Sequence, residues 1–371
     1  VKPDAYQAID NFYTTTIYEK GAELIRMLQT LLGKERFMRG MGLYFRRHDG
    51  EAATTNDFVA AILQGALQDG EPLGFDPEQF ERWYVQAGTP EVQIARGWDP
   101  QHGRLTLTIR QTTAATPGQP DKQPLVIPLL WSLVAADGEP GEEQLLVLDQ
   151  PEQTLVLEGL APAEQPPALS LFRQFSAPVR WQADQSMKEL FHLFAYDNDP
   201  FARWDAGQQL WQRLLLARAA GAVDSALEKQ MQASLEVLLA ADGEQDPAVL
   251  VTLLSFPGGA ELEALQEVAE PLDLYLAGCA LREQLGTALA IPLQARLEQM
   301  RPQLDQVWPE GQGERQLTGL IWSWLAAAGD QQVRDQALDA VTGPSMTMAR
   351  YGLRVLQPLD CVQREKALQR F

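Results

Sequence analysis

Residues 11–28 read NFYTTTIYEKGAELIRML, and this stretch decides how the whole chain is interpreted. Beyond Tyr18 the apolar residues recur at the spacing of one helix face: Leu24, Met27, Leu28, Leu31 and Leu32. Gly33 follows at the place where a left-handed helix cap is expected. The threonines at 14–16 favour a strand or a cap over a helix interior. The pattern therefore predicts a helix that starts near Tyr18, where a side chain can point into a cleft.

The same stretch resembles the aminopeptidase N family of zinc aminopeptidases, which are gluzincin metallopeptidases. In that family a Tyr-Glu-Lys-Gly run follows a Phe-Tyr pair a few residues upstream. The likeness continues through LYFRRHDG at 43–50, FERWY at 80–84 with GTP at 88–90, and FARWD at 201–205. It is specific at the start, clear to residue 205 and only a loose helical likeness afterwards. The chain is thus similar to the family from the end of its catalytic domain onward.

The resemblance implies roles for two tyrosines. Tyr18 matches the tyrosine whose hydroxyl donates a hydrogen bond to the oxyanion of the tetrahedral intermediate. A phenol stays protonated at neutral pH and can donate this bond, and such a donor is worth roughly 3 kcal/mol in a dry site. Tyr13 matches a tyrosine that borders the substrate pocket. On spacing alone, an ordinary amphipathic tyrosine and an ordinary packing residue remain the alternatives for Tyr18 and Tyr13.

The charged residues in and after the tyrosine motif can be explained without a catalytic role. Glu19 and Lys20 match the family, but a local ion pair at the helix end explains them equally well. Glu23 and Arg26 are expected to be structural.

The metal centre of such an enzyme is not encoded in this chain. Zinc aminopeptidases need His-Glu-x-x-His on one helix and a further carboxylate ligand. The three histidines, His48, His102 and His192, include no pair with ligand spacing. The Gly-Ala-Met-Glu-Asn run that grips the substrate's amino group in the family is also absent. We expect no metal site here, zinc in the parent protein, and no activity from the chain alone.

Composition limits the partners and the compartment. The formal net charge is −20 and the pI is near 4.6, which argues against nucleic-acid binding and against adhesion to anionic membranes. Neither a long apolar segment nor a signal peptide is visible. Cys279 and Cys361 are expected to be buried free thiols of a reducing compartment. We therefore expect a cytoplasmic protein, and the resemblance implies a monomer that acts on short peptides.

The pattern changes twice along the chain, which predicts a multidomain α+β fold. Residues 1–88 are helical and, by the resemblance, form the C-terminal part of a thermolysin-like peptidase domain. Residues 89–181 hold six or seven short alternating runs between Gly, Pro and Asp turns, which predicts an antiparallel β-sandwich that acts as a spacer. Residues 182–371 hold successive helices with short polar breaks, which predicts an α-solenoid of the armadillo/HEAT type, truncated at its C-terminus.

Both ends of the chain lie within patterns that are not complete, so we expect a piece of a longer protein. The alternative hypothesis is a non-catalytic binding or scaffold protein, because solenoids present concave binding faces. The reading frame upstream of Val1 separates the two. A His-Glu-x-x-His motif there favours the enzyme, whereas a start codon directly before Val1 favours the scaffold.

Overall fold

The computed structural model of the protein describes residues 7–240, 246–306 and 309–370, without the side chains of Asn11 and Phe12. The chain divides into two compact units, and the division falls between Ser186 and Met187. Among the described residues, the first unit holds four α-helices and seven strands, and the second holds eleven α-helices. The domain boundaries expected at residues 88 and 181 stay predictions.

The first unit opens with four helices: α1 (Thr15–Leu32), α2 (Lys34–His48), α3 (Thr55–Ala66) and α4 (Pro77–Val85). The predicted first helix is present, but it begins three residues before Tyr18, so Thr15 and Thr16 lie inside it and Tyr18 lies in its first turn. The Thr14 side chain caps it by accepting a hydrogen bond from the Ile17 amide at 3.4 Å. Gly33 ends it at φ 77°, a conformation that glycine adopts without a steric penalty.

Side-chain caps also fix the starts of the later helices in this unit. Asp76 caps α4, which begins with proline as predicted. The prediction for α3 was wrong by one residue, because Thr54 caps it in place of Thr55 or Asn56. Asp57 accepts a hydrogen bond from the Thr54 amide at 2.8 Å, and this capping box sets the boundary.

Seven strands follow: β1 (Pro90–Asp99), β2 (Arg104–Thr113), β3 (Ile127–Val134), β4 (Gln144–Leu148), β5 (Glu152–Leu157), β6 (Ala168–Leu171) and β7 (Arg180–Ala183). They form a sheet in the order β5-β2-β1-β7 and a sheet in the order β4-β3-β6. The predicted antiparallel arrangement holds for every described pair except β1 and β7, which run parallel. After β6 the chain crosses from the three-stranded sheet to the four-stranded sheet. There it forms β7, which runs in the same direction as β1.

The helices and the strands of the first unit share one apolar core. Trp83 of α4 is fully buried, and its indole Nε1 donates a hydrogen bond to the Val126 carbonyl oxygen at 2.7 Å. The core continues into both sheets, where strand alternation turns one face inward. Its members from the strands include Ile94, Leu107 and Leu169. The sandwich therefore fixes the position of the helices that carry the tyrosine motif.

The second unit consists of helices α5 (Met187–Tyr196), α6 (Pro200–Ala219), α7 (Ser225–Ala240), α8 (Pro247–Leu254), α9 (Gly259–Glu263), α10 (Pro271–Ala288), α11 (Ala290–Met300), α12 (Gln312–Ala327), α13 (Gln331–Val341), α14 (Met346–Leu356) and α15 (Val362–Arg370). Asp199 and Asp246 cap α6 and α8 ahead of a proline, as their sequences predict. None of the helices that the structure describes is long and apolar enough to cross a membrane.

Aromatic residues and one glycine hold the solenoid layers together. Trp211 and Trp324 meet edge to face with ring centroids 6.4 Å apart, and Phe256 contacts both rings. At Gly286 an added Cβ would lie 2.2 Å from the Trp324 carbonyl oxygen, so α10 and α12 approach each other closely here. Cys279 is free as predicted, but it is half-buried because it lines a cavity between these layers. Cys361 is likewise free and half-buried, so the prediction that both thiols are buried was wrong.

Candidate functional site

Tyr18 and Tyr13 lie side by side at the start of α1. Their ring centroids are 6.0 Å apart and their planes meet at 24°. Both side chains are open, with 55% of Tyr18 and 60% of Tyr13 exposed. The structure thus brings the two sequence-predicted site residues together on an accessible surface of the first unit. Their catalytic and substrate-binding roles stay predictions.

The rest of α1 is fixed by burial. The residues on its apolar stripe are at most 8% exposed: Leu24, Met27, Leu28, Leu31 and Leu32. The terminal turns of a helix fray more readily than its interior. The buried turns behind it and the threonine cap ahead of it therefore restrict how far Tyr18 can move.

Lys20 joins α1 to the start of the sandwich, so its contacts differ from the local ion pair that was one interpretation of this residue. The Lys20 Nζ donates a hydrogen bond to the Gly88 carbonyl oxygen at 3.2 Å and stands 5.6 Å from the centre of the Trp83 ring. Burial lowers the pKa of Lys20, and repulsion from Lys122 lowers it further. The carbonyl and the aromatic face stabilise the ammonium in this half-buried place.

Arg26 joins the same helix to the crossover after β6. Its Nε donates to a Glu23 carboxylate oxygen at 2.8 Å, and its terminal nitrogens donate to the carbonyl oxygens of Gln174 and Phe175. The guanidinium also stands 5.4 Å from the centre of the Phe175 ring. The structural interpretation of Arg26 and Glu23 agrees with these contacts.

The crossover has an unusual backbone. Phe172, Gln174 and Phe175 adopt φ values of 48°, 56° and 52°, which residues other than glycine adopt at a cost of about 1–2 kcal/mol each. The bonds from Arg26 hold this segment in place. Sequence reasoning missed it, because no Gly or Asn marks these positions.

The residues that the structure describes form no site that could hold a zinc ion. They contain no cluster of three or more His, Cys, Asp or Glu side chains able to hold a metal. His48 faces Glu51 at 3.6 Å, and the His192 ring lies 5.0 Å from that of Tyr196. His102 contacts Asp99, with 2.8 Å between Nδ1 and Oδ2; this hydrogen bond is the main cause of the lowered pKa of Asp99. Each of the three histidines has a partner near it in sequence.

Sequence comparison matches three domain families in order along the chain. A Peptidase family M1 domain matches residues 1–76, an Ig-like domain of unknown function (DUF3458) matches 88–184, and a domain of unknown function with ARM repeats (DUF3458_C) matches 187–371. Aminopeptidase N of Caulobacter vibrioides is 39% identical over 389 residues, which cover 100% of this chain and 42% of that protein.

The chain belongs to the aminopeptidase N family. Aminopeptidase N of Escherichia coli is 37% identical over 306 residues, covering 80% of this chain and 34% of that protein. A crystal structure of Legionella pneumophila aminopeptidase A in complex with aspartic acid shares the fold with a TM-score of 0.84 at 24% identity, over 100% of this chain and 42% of that one.

The chain spans less than half the length of each of these proteins. The matches confirm the predicted fold class, in which a peptidase segment is followed by an Ig-like sandwich and an armadillo-type solenoid.

Proposed function

We propose that the protein to which this chain belongs is a zinc aminopeptidase that removes N-terminal residues from short peptides. Family membership supports the reaction class. The observation that carries the role of this chain is Tyr18, whose exposed ring stands on the first turn of a helix anchored along its buried face. The described residues hold no zinc cluster, so the metal ligands would lie on residues outside them.

In this proposal the Tyr18 hydroxyl donates a hydrogen bond to the oxyanion that forms when the scissile carbonyl is attacked. The donor acts on charge that develops during the reaction, so it lowers the barrier more than it strengthens substrate binding. Tyr13 stacks beside it and forms part of the wall against which the substrate lies. We expect a monomer in the cytoplasm with peptides as its partners, a proposal supported by the net charge of −20 and by the free thiols.

Replacing Tyr18 by phenylalanine in the whole protein tests the role. We expect kcat to fall by about 100-fold while KM changes little, because the lost bond forms mainly in the transition state. Steady-state kinetics on an aminoacyl-arylamide measure both constants. Tyr196→Phe is the matched control, because Tyr196 is 51% exposed and lies in the solenoid. An unchanged kcat in the Tyr18 variant removes this residue from the mechanism.

The chain by itself is expected to be inactive. It should neither hydrolyse an aminoacyl-arylamide in the presence of added zinc nor retain stoichiometric zinc after gel filtration. Metal analysis and a long-incubation assay measure the two quantities. Turnover by the purified chain would refute this expectation.

A further inference from the structure

The solenoid contains a cavity of about 940 Å³ that no sequence motif indicates. It lies between α10, α12 and α14, with the end of α8 and the turn at 357–360 completing its wall. Its volume falls in the range of sites that bind small molecules. The polar side chains around it come from several helices and include Tyr275, Arg282, Glu283, Gln316 and Arg354.

Two guanidinium groups of this wall lack acidic partners. Other arginines of the described residues vary in their partners: Arg218 contacts Glu228 at 2.5 Å, whereas the buried Arg315 donates to backbone carbonyl oxygens. Arg282 and Arg354 form no ion pair with any carboxylate that the structure describes. Arg282 is half-buried, and its guanidinium stands 5.4 Å from the centre of the Phe256 ring. Aromatic support of this kind restricts a guanidinium while leaving its donors available.

The two acidic side chains of the cavity wall, Asp360 and Glu283, differ in whether they form an ion pair. Asp360 forms an ion pair with Arg364 at 3.5 Å. Glu283 is exposed and is absent from the ion pairs of the described residues. The unpaired charges of the cavity are thus two guanidiniums and one carboxylate. A molecule with a carboxylate and an ammonium group complements such a wall.

We propose that this cavity binds a short peptide with free ends, whose C-terminal carboxylate is held by Arg282 and Arg354 and whose ammonium faces Glu283. Guanidinium forks bind carboxylates through paired, charge-assisted hydrogen bonds. The side-chain amide of Gln316 also lines the cavity and can hydrogen-bond the backbone of the peptide. The choice of a peptide among carboxylates rests on the proposed function, but the binding itself requires no catalysis by this chain.

Isothermal titration calorimetry of the chain with trialanine tests the proposal. The probes are trialanine, its C-terminal amide and inorganic phosphate. We expect the amide to bind at least about tenfold more weakly than the free acid, because a hydrogen-bonded charge is lost. Equal binding of acid and amide, no binding of trialanine, or tighter binding of phosphate overturns the proposal.

Variants identify the groups responsible. Arg282→Gln and Arg354→Gln should each weaken trialanine binding by about tenfold or more. Arg350→Gln is the matched control, because Arg350 is exposed on the same helix as Arg354 but does not line the cavity. Arg282→Lys keeps the charge and should bind better than Arg282→Gln. Thermal melting shows that each variant is folded, and wild-type binding by both glutamine variants overturns the proposal.

The two proposals fail separately. Trialanine binding to the chain does not involve Tyr18, so it persists if Tyr18→Phe leaves kcat unchanged. Conversely, a large loss of kcat in the Tyr18→Phe variant would still support the catalytic role of Tyr18 if trialanine did not bind.

Discussion

The carboxyl of Asp205 makes the stability of the solenoid depend on pH. Burial raises the pKa of Asp205 to about 6 from its usual 3.8, the hydrogen bond from Gln209 at 2.9 Å opposes this rise, and the nearby Glu261 adds to it. The folded state thus binds this proton more tightly than the unfolded state. Its contribution to stability is fully present below pH 3.8 and is lost as the pH rises through 6.

The size of the effect follows from the two pKa values. They differ by about 2, and each unit corresponds to about 1.4 kcal/mol, so the ionised carboxylate costs the folded state up to about 3 kcal/mol. Asp205→Asn removes the charge and keeps an oxygen that accepts the Gln209 bond. We expect the variant to be more stable than the parent chain by up to about 3 kcal/mol at pH 8, and by about half of that at pH 5.

Urea denaturation between pH 5 and pH 8, followed by tryptophan fluorescence, measures the difference. Asp339→Asn is the control, because it removes an exposed carboxylate by the same chemical change. We expect the difference in unfolding free energy between Asp205→Asn and the parent chain to increase with pH. If it does not, the effect cannot be assigned to burial of this carboxyl.

Two further predictions concern packing, and urea denaturation measures both. Gly286→Ala should lower the free energy of unfolding by more than about 2 kcal/mol, because the new methyl group meets the backbone of the neighbouring helix. Gly278→Ala in the same helix meets nothing within 4 Å and should raise stability by about 0.5–1 kcal/mol; equal effects of the two would contradict the close approach. Trp83→Phe should cost about 2–3 kcal/mol, since it leaves a buried carbonyl without its donor, and a neutral result would show that water replaces the indole.

Local signals predicted much of the fold. The apolar stripe of α1, the glycine after it and the aspartate–proline starts of later helices all act within a few residues, so they are readable in the sequence. The boundary error at Thr54 arose because the capping box depends on which of three adjacent polar side chains faces the helix.

The partners of the motif residues were not predictable in this way. Lys20 binds a carbonyl 68 residues away and Arg26 binds one 148 residues away, and neither distance leaves a periodic signal. The left-handed backbone at Phe172 and Gln174 is imposed by the crossover between sheets, against local preference. The solenoid cavity exists only where helices far apart in sequence come together, so no local pattern marks its arginines.

The indole of Trp83 affects how genes of this family can be recombined. It belongs to the last helix before the sandwich, yet it donates its hydrogen bond to Val126, next to β3, and the core cluster that contains it includes residues of both sheets. If two genes were recombined at Gly88, this helix would be joined to the sandwich of another protein. That sandwich would then need a carbonyl oxygen in the same position and an apolar pocket of the same shape. Exchange upstream of α4, which carries the helix along with its sandwich, preserves that fit.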